Sequence, residues 1–151
     1  MPTTTPTRRS RYAPPFVTKN DLLELLNADF DRECRAIYAH AVYAERLRDR
    51  DPARAGAITR GGQQAVLAAL ALCQLVYDYG GSAVGAVDEL NAVLNADRVA
   101  TPEWALETER RLQARVTQLR AAGEPGLAKR VRRLLLAKRA RPSLVELAGG
   151  G

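Results

Sequence analysis

Aromatic residues are scarce in this chain, at 5% of 151 residues, with a single tryptophan and a single histidine. Ala, Leu and Arg dominate instead, and such residues lose little rotamer freedom in a helix. That mix disfavours a sheet protein and predicts an all-α fold. Long apolar runs are missing too: no stretch approaches the roughly 18 uncharged residues that a membrane span requires. The N-terminal segment MPTTTPTRRSRYAPP carries basic residues but no apolar run behind them, which argues against a secretory signal. Only two cysteines occur, Cys34 and Cys73, both inside apolar helical patterns. They are expected as buried thiols in a reducing cytoplasm, with a disulfide across neighbouring helices as the alternative. No glycine-rich phosphate loop, nucleophile constellation or cysteine metal motif is present.

What the chain does have is 46% hydrophobic and 26% charged residues, the balance of an ordinary globular protein. Its length suits one domain that buries roughly 70% of its unfolded surface. Residues 1–17 hold four prolines among Thr, Arg and Ser and read as a flexible arm. A first helix then starts near Thr18 or Asn20, either of which can cap it. Its apolar stripe runs through Leu23, Leu26, Phe30, Ile37, Ala41 and Ala44 to about Leu47, where RLRDRD and Pro52 close it. A second helix takes Pro52 in its first turn, continues through Ile58, Ala65, Ala69, Leu72 and Val76, and stops at Gly80-Gly81. Gly61-Gly62 inside it is a local conflict, at about 1 kcal/mol per glycine relative to alanine; it marks close helix contact, a kink or a break.

Residues 82–100 make a longer connection with a short helical pattern around Val87–Leu94. Thr101-Pro102-Glu103 supplies a capping hydroxyl, a first-turn proline and a first-turn acid, so a third helix starts there. It carries Ala105, Leu112, Val116 and Leu119 and stops near Gly123. A fourth follows Glu124-Pro125 with Leu127, Val131, Leu134 and Leu135, and Pro142 ends it. The expected organisation is an arm (1–17), a four-helix bundle with a long crossover between helices two and three (18–141), and a tail (142–151).

The segment LLELLNADFDRECRAIYAHAVYAERL (22–47) resembles the opening helix of ferritin-like and bacterioferritin-like proteins, with a leucine-asparagine pair, a metal-binding Glu, then Ala-Ile, an aromatic and an alanine. LVYDYGG (75–81) is similar to the close of that family's second helix, and ELNAVL and AAGEPGLA sit where it has comparable pieces. The resemblance spans about residues 20–141 and implies a ferritin-like four-helix bundle. In the family each helix pair gives one Glu and one Glu-x-x-His, because residues three apart share a helix face and reach the same metal.

On that resemblance Glu33 matches the first ligand, and His40 shares its face where relatives often have tyrosine. The third-helix counterpart is Glu107 by family spacing or Glu109 by the stripe 105, 109, 112, 116. The other half of the site is missing. Ala65 and Ala68 stand where the second helix should offer Glu and His, and Lys138 and Arg141 stand where the fourth should; a one-residue slip replaces Lys138 by Arg139. No Glu-x-x-His occurs in the chain. Two carboxylates and one histidine cannot bridge two irons in the family's manner. Lys138 is instead expected to neutralise Glu33 or the third-helix acid, making a buried ion pair in place of the metal.

The segment KRVRRLLLAKRAR (129–141) carries seven cations and no acid, against a net charge of +6 for the chain. Lys129, Arg130, Arg132, Arg133 and Arg139 form a basic patch that is either a solvated helix face or a surface for phosphates or an acidic partner. The sequence-level expectation is a non-catalytic cytoplasmic ferritin-like protein without cofactor, serving as a structural or interaction subunit. Its partner is a second copy, docked through helices one and two, or a larger protein assembly, and no membrane is involved. An iron-binding or ferroxidase-like storage protein is the alternative reading, and a nucleic-acid binder working through the fourth helix is a further one.

Overall fold

A computed structural model describes residues 17–85 and 95–140. These residues form four α-helices and one 3₁₀ turn, with no strand among them: α1 (Lys19–Leu47), α2 (Pro52–Asp78), the turn Ala96–Ala100, α3 (Pro102–Ala121) and α4 (Pro125–Arg139). The expected arm before Val17, the helical pattern around Val87–Leu94, Arg141 and the tail all lie outside the described residues.

Each helix begins where its local chemistry dictates. The Thr18 hydroxyl accepts from the Asp21 amide while the Asp21 carboxylate accepts from the Thr18 amide, a reciprocal capping box that starts α1. Asp51 caps α2 and Thr101 caps α3, each just before a first-turn proline whose missing N–H would have been unpaired anyway. Gly80 and Gly123, at φ 99° and 77°, take the left-handed conformation that ends α2 and α3 at little cost. At Gly81 a Cβ would sit 2.9 Å from the end of the Leu23 side chain, which would have to shift to admit it. α4 ends at Arg139, three residues before Pro142.

α1 packs along α2 and α3 along α4, and contacts of α1 with α3 and of α2 with α4 join the two hairpins into a helical bundle. Asp29 bonds Arg115, while Arg32, farther along α1, bonds Thr108 and Trp104, earlier in α3; the two helices therefore run antiparallel. The main core is Leu22, Leu26, Leu72, Leu75, Val76, Leu112, Val116, Leu119, Val131 and Leu135 with Tyr79 and Ala128. Burial of each large aliphatic contributes about 1.5–3 kcal/mol. A second cluster joins Ala36, Ala39 and Ala65 to Ala96 and Val99 of the 3₁₀ turn, and a third, of Ala44, Leu47, Ala55 and Ile58, lies at the far end of the α1–α2 hairpin. The chain on both sides of 86–94 lies against α1. The amide of Val84 donates to Asn27 Oδ1 at 2.6 Å and its carbonyl accepts from Asn27 Nδ2 at 2.8 Å, while the 3₁₀ turn packs on Ala36 and Ala39.

The core face of α1 differs from the stripe read in the sequence. It runs Leu22, Leu26, Asp29, Glu33, Ala36, Ala39, His40, Ala44 and Leu47, while Leu23, Phe30 and Ile37 are only partly buried and Ala41 is exposed. The reason is chemical: two carboxylates occupy the innermost line, so apolar periodicity alone selects the neighbouring one. On α3 the same displacement exposes Ala105 and buries Thr108. No helix of the described residues is long and apolar enough to cross a membrane.

Candidate functional site: a charged layer at the bundle centre

Five charged side chains meet where α1, α3 and α4 face one another. Glu33 is 4% exposed, and its Oε1 accepts from Lys138 Nζ at 2.5 Å. One turn earlier, Asp29 is 3% exposed and accepts from two arginines, Arg111 Nε at 2.9 Å and Arg115 Nε at 2.7 Å, with Arg115 Nη2 at 3.4 Å. Arg115 turns its remaining reach to Gln118 Oε1 at 3.0 Å. The layer is thus a glutamate matched by one cation and an aspartate matched by two. Charge-assisted bonds of this kind are short and roughly twice as strong as neutral ones.

Beside them Arg32 lies with its guanidinium carbon 3.6 Å from the centre of the Trp104 ring. It donates from Nη2 to the Trp104 carbonyl at 3.1 Å and to the Thr108 hydroxyl at 3.2 Å. Burial, with the Arg111 charge second, pushes the Arg32 pKa down from its ordinary value; arginine is nevertheless always protonated in a protein. Between these groups remains a void of about 10 Å³, lined in part by Asp29, Glu33, Ala68, Arg111 and Lys138. That is room for about one water. Among the described residues no buried side-chain nitrogen or oxygen lacks a hydrogen-bond partner.

His40 is buried, and its Nδ1 lies 2.6 Å from the Ala36 carbonyl. A carbonyl only accepts, so Nδ1 carries the proton. Burial pushes the His40 pKa down; the bond to Ala36 works against that and the Lys138 charge adds to it. The imidazole is therefore neutral at pH 7. Gly62 stands across from it on α2: a Cβ there would meet the His40 Cβ at 3.0 Å. Gly61-Gly62 thus neither breaks α2, which runs unbroken from Pro52 to Asp78, nor lies idle, since Gly62 marks a close helix contact.

The remaining candidates lie elsewhere. Glu107 is partly exposed and pairs with Arg110 at 3.1 Å and Arg111 at 3.9 Å. Glu109 turns to Arg139 on α4 at 3.2 Å. Thr108, between them, takes the inward place on α3. Ala68 lines the central void, while Ala65 packs against Ala36, Ala39 and Ala96. In the basic patch Arg130 pairs with Asp78 at 2.8 Å, and Lys129, Arg132 and Arg133 are exposed. Bonds from Gln74 and Arg130 hold the exposed Asp78 carboxyl below its ordinary pKa. Cys34 and Cys73 are free thiols, half-buried where full burial was expected; burial and the neighbouring Asp31 and Glu33 charges push the Cys34 thiol up.

Sequence reasoning missed the Asp29–Arg111–Arg115 cluster. The signal was available, since Asp29 falls three residues after Leu26 and four before Glu33, and Arg115 three after Leu112. Comparison with protein-family models, curated proteins and solved structures finds no match to this chain.

The donor set does not suit a pair of irons. Ala65 and Ala68 offer no ligand, both central carboxylates are held by cations, and no three His, Cys, Asp or Glu side chains among the described residues come together as a metal-holding group. A metal at Glu33 would have to displace the Lys138 ammonium, which carries the same sign of charge. What the layer does well is hold three helices in one register: each charge fixes a partner on a facing helix, and a slipped alignment would strand it.

Proposed function

We propose that this chain is a ferritin-like bundle, with a long crossover between α2 and α3, in which a salt bridge stands in for the two-metal centre. It serves as a non-catalytic structural or interaction subunit in the cytoplasm. The observation that carries this reading is the Lys138–Glu33 pair, at the place where the resemblance puts a metal carboxylate and its fourth-helix partner. Elemental analysis of the purified protein, with anaerobic ferrous titration followed by exposure to oxygen, tests it. The expected result is no stoichiometric iron; two irons per chain would restore the iron-storage or ferroxidase reading.

The partner in this proposal is a second copy, docked through α1 and α2. Its support is an apolar row on the outer side of α2: Leu67 and Leu70 are each 62% exposed and Tyr77 72%, with Val66 beside them. Single exposed apolar residues are ordinary, but these four share one face of α2, interrupted by Gln74, and a face of that kind suits a partner. Light scattering of the wild type should report a dimer or larger assembly, and Leu70→Glu a smaller species. A monomeric wild type at high micromolar concentration would remove this part of the proposal.

A second reading has one observation in its favour. Lys129, Arg132 and Arg133 are exposed on one side of α4 and take part in no ion pair among the described residues. If they bind nucleic acid, affinity falls steeply with salt, with a log–log slope of about −0.9 per phosphate neutralised. Absence of binding at low salt would eliminate that reading.

A further inference from the structure

The N-terminal part of α3 forms one wall of an open cleft of about 550 Å³, bordered also by Arg32 of α1 and by Arg98 of the 3₁₀ turn. That volume suits a small organic molecule. We propose that this cleft binds a small carboxylate with an apolar body, its charge held between Arg32 and Arg98.

Charge, preorganisation and surface character argue for that ligand together. Arg32, Arg98 and Arg110 line the cleft against two acids, Glu103 and Glu107. Glu107 pairs most closely with Arg110, at 3.1 Å, and forms no ion pair with Arg32 or Arg98 among the described residues, although its charge acts on Arg32. Arg98 is exposed and enters no ion pair among the described residues. Arg32 is bonded only to neutral acceptors, the Trp104 carbonyl and the Thr108 hydroxyl, through Nε and Nη2; Nη1 takes no part in those bonds.

Stacking on the Trp104 ring and these bonds hold the Arg32 guanidinium in one orientation, so little rotamer freedom remains to be lost when an anion arrives. A guanidinium fork matches a carboxylate in shape. The apolar half of the ligand has its own surface: Leu106, 55% exposed, stands on the same wall as Trp104. The inference does not depend on the fate of the metal centre or on self-association, since none of these groups belongs to the Lys138–Glu33 pair or to the outer row of α2.

Trp104 is the only tryptophan in the chain, so its emission reports on this cleft alone. The full-length protein is titrated at constant ionic strength with cyclohexanecarboxylate, and in parallel with the neutral cyclohexylmethanol. A saturable change with the carboxylate and none with the alcohol is expected. Arg98→Ala should weaken the midpoint about tenfold, the loss of one charge-assisted bond. Leu106→Ser should weaken it less, and neither exposed substitution should move the thermal midpoint. A linear drift without saturation, an equal response to the alcohol, or an Arg98→Ala curve that overlays the wild type would each overturn the proposal.

Discussion

Replacing Lys138 by methionine keeps most of the side-chain volume and removes the charge that faces Glu33. The glutamate side chain is 5% exposed, so bulk water does not replace the ammonium charge, whereas the lysine side chain is 23% exposed and the substitution leaves no deep void. Removing one partner of a buried pair costs about 3–5 kcal/mol. The stranded glutamate has one escape, which is to take up a proton, and that sets a ceiling on the damage. For a glutamate of ordinary acidity, protonation costs about 3.7 kcal/mol at pH 7 and about 1 kcal/mol at pH 5. The expected loss of stability is therefore about 3–4 kcal/mol at pH 7, shrinking to about 1 kcal/mol at pH 5. Urea unfolding followed by far-ultraviolet circular dichroism at both pH values measures it. Adding Glu33→Leu to Lys138→Met should recover most of the loss at pH 7, because no buried charge then remains without a partner. A penalty below about 1 kcal/mol at pH 7, or one independent of pH, would refute the reasoning.

Asp29→Asn should be about as severe as Lys138→Met, since it removes the charge facing Arg115, 7% exposed, while Arg111, 30% exposed, keeps Glu107; a thermal melt should show a loss of about 3–5 kcal/mol. Two glycines of α2 should respond oppositely to alanine. At Gly56 the new methyl meets only the mobile end of Arg60, at 3.7 Å, and stability should rise by about 0.5–1 kcal/mol; at Gly62 it meets the His40 Cβ at 3.0 Å, and chemical denaturation should show no such gain. His40 has a folded-state pKa below its unfolded one, so its contribution is present above about pH 6.5 and is lost as pH falls through the folded value. Thermal midpoints between pH 7 and 5 should fall less steeply in His40→Gln than in the wild type, and equal slopes would contradict the buried neutral imidazole.

Helix ends were legible because most rest on a local device: Thr101 as a cap, Pro52, Pro102 and Pro125 in first turns, Gly80 and Gly123 beyond the last; between Thr18 and Asn20 the structure takes Thr18, and it adds Asp51 as a cap that was not foreseen. A cation facing the central carboxylates was expected, with Lys138 offered to Glu33 or to the third-helix acid, and the structure pairs it with Glu33. Which side of α1 faces inward was not. A count of apolar residues favours the Leu23–Phe30–Ile37 line over the Leu22–Asp29–Ala36 line, and only the arginines of α3 make an aspartate acceptable inside. For the same reason the choice between Glu107 and Glu109 could not be made from spacing: the inward place belongs to Thr108, and both glutamates turn to arginines at the margins.

The four helices are unequal, at 29, 27, 20 and 15 residues. At about 1.5 Å per residue α1 is nearly twice as long as α4, so the α1–α2 hairpin overhangs the shorter pair. The Leu22–Leu75–Val116–Val131 end is packed from four sides, while the Ala44–Leu47–Ala55–Ile58 end is a small cluster between two helices. Amide protons near the overhang should then exchange with deuterium through a partial opening, well before the global unfolding that releases those at the other end. The charged layer lies between the two clusters, so the network around Asp29 and Glu33 should mark the boundary between slowly and rapidly exchanging amides.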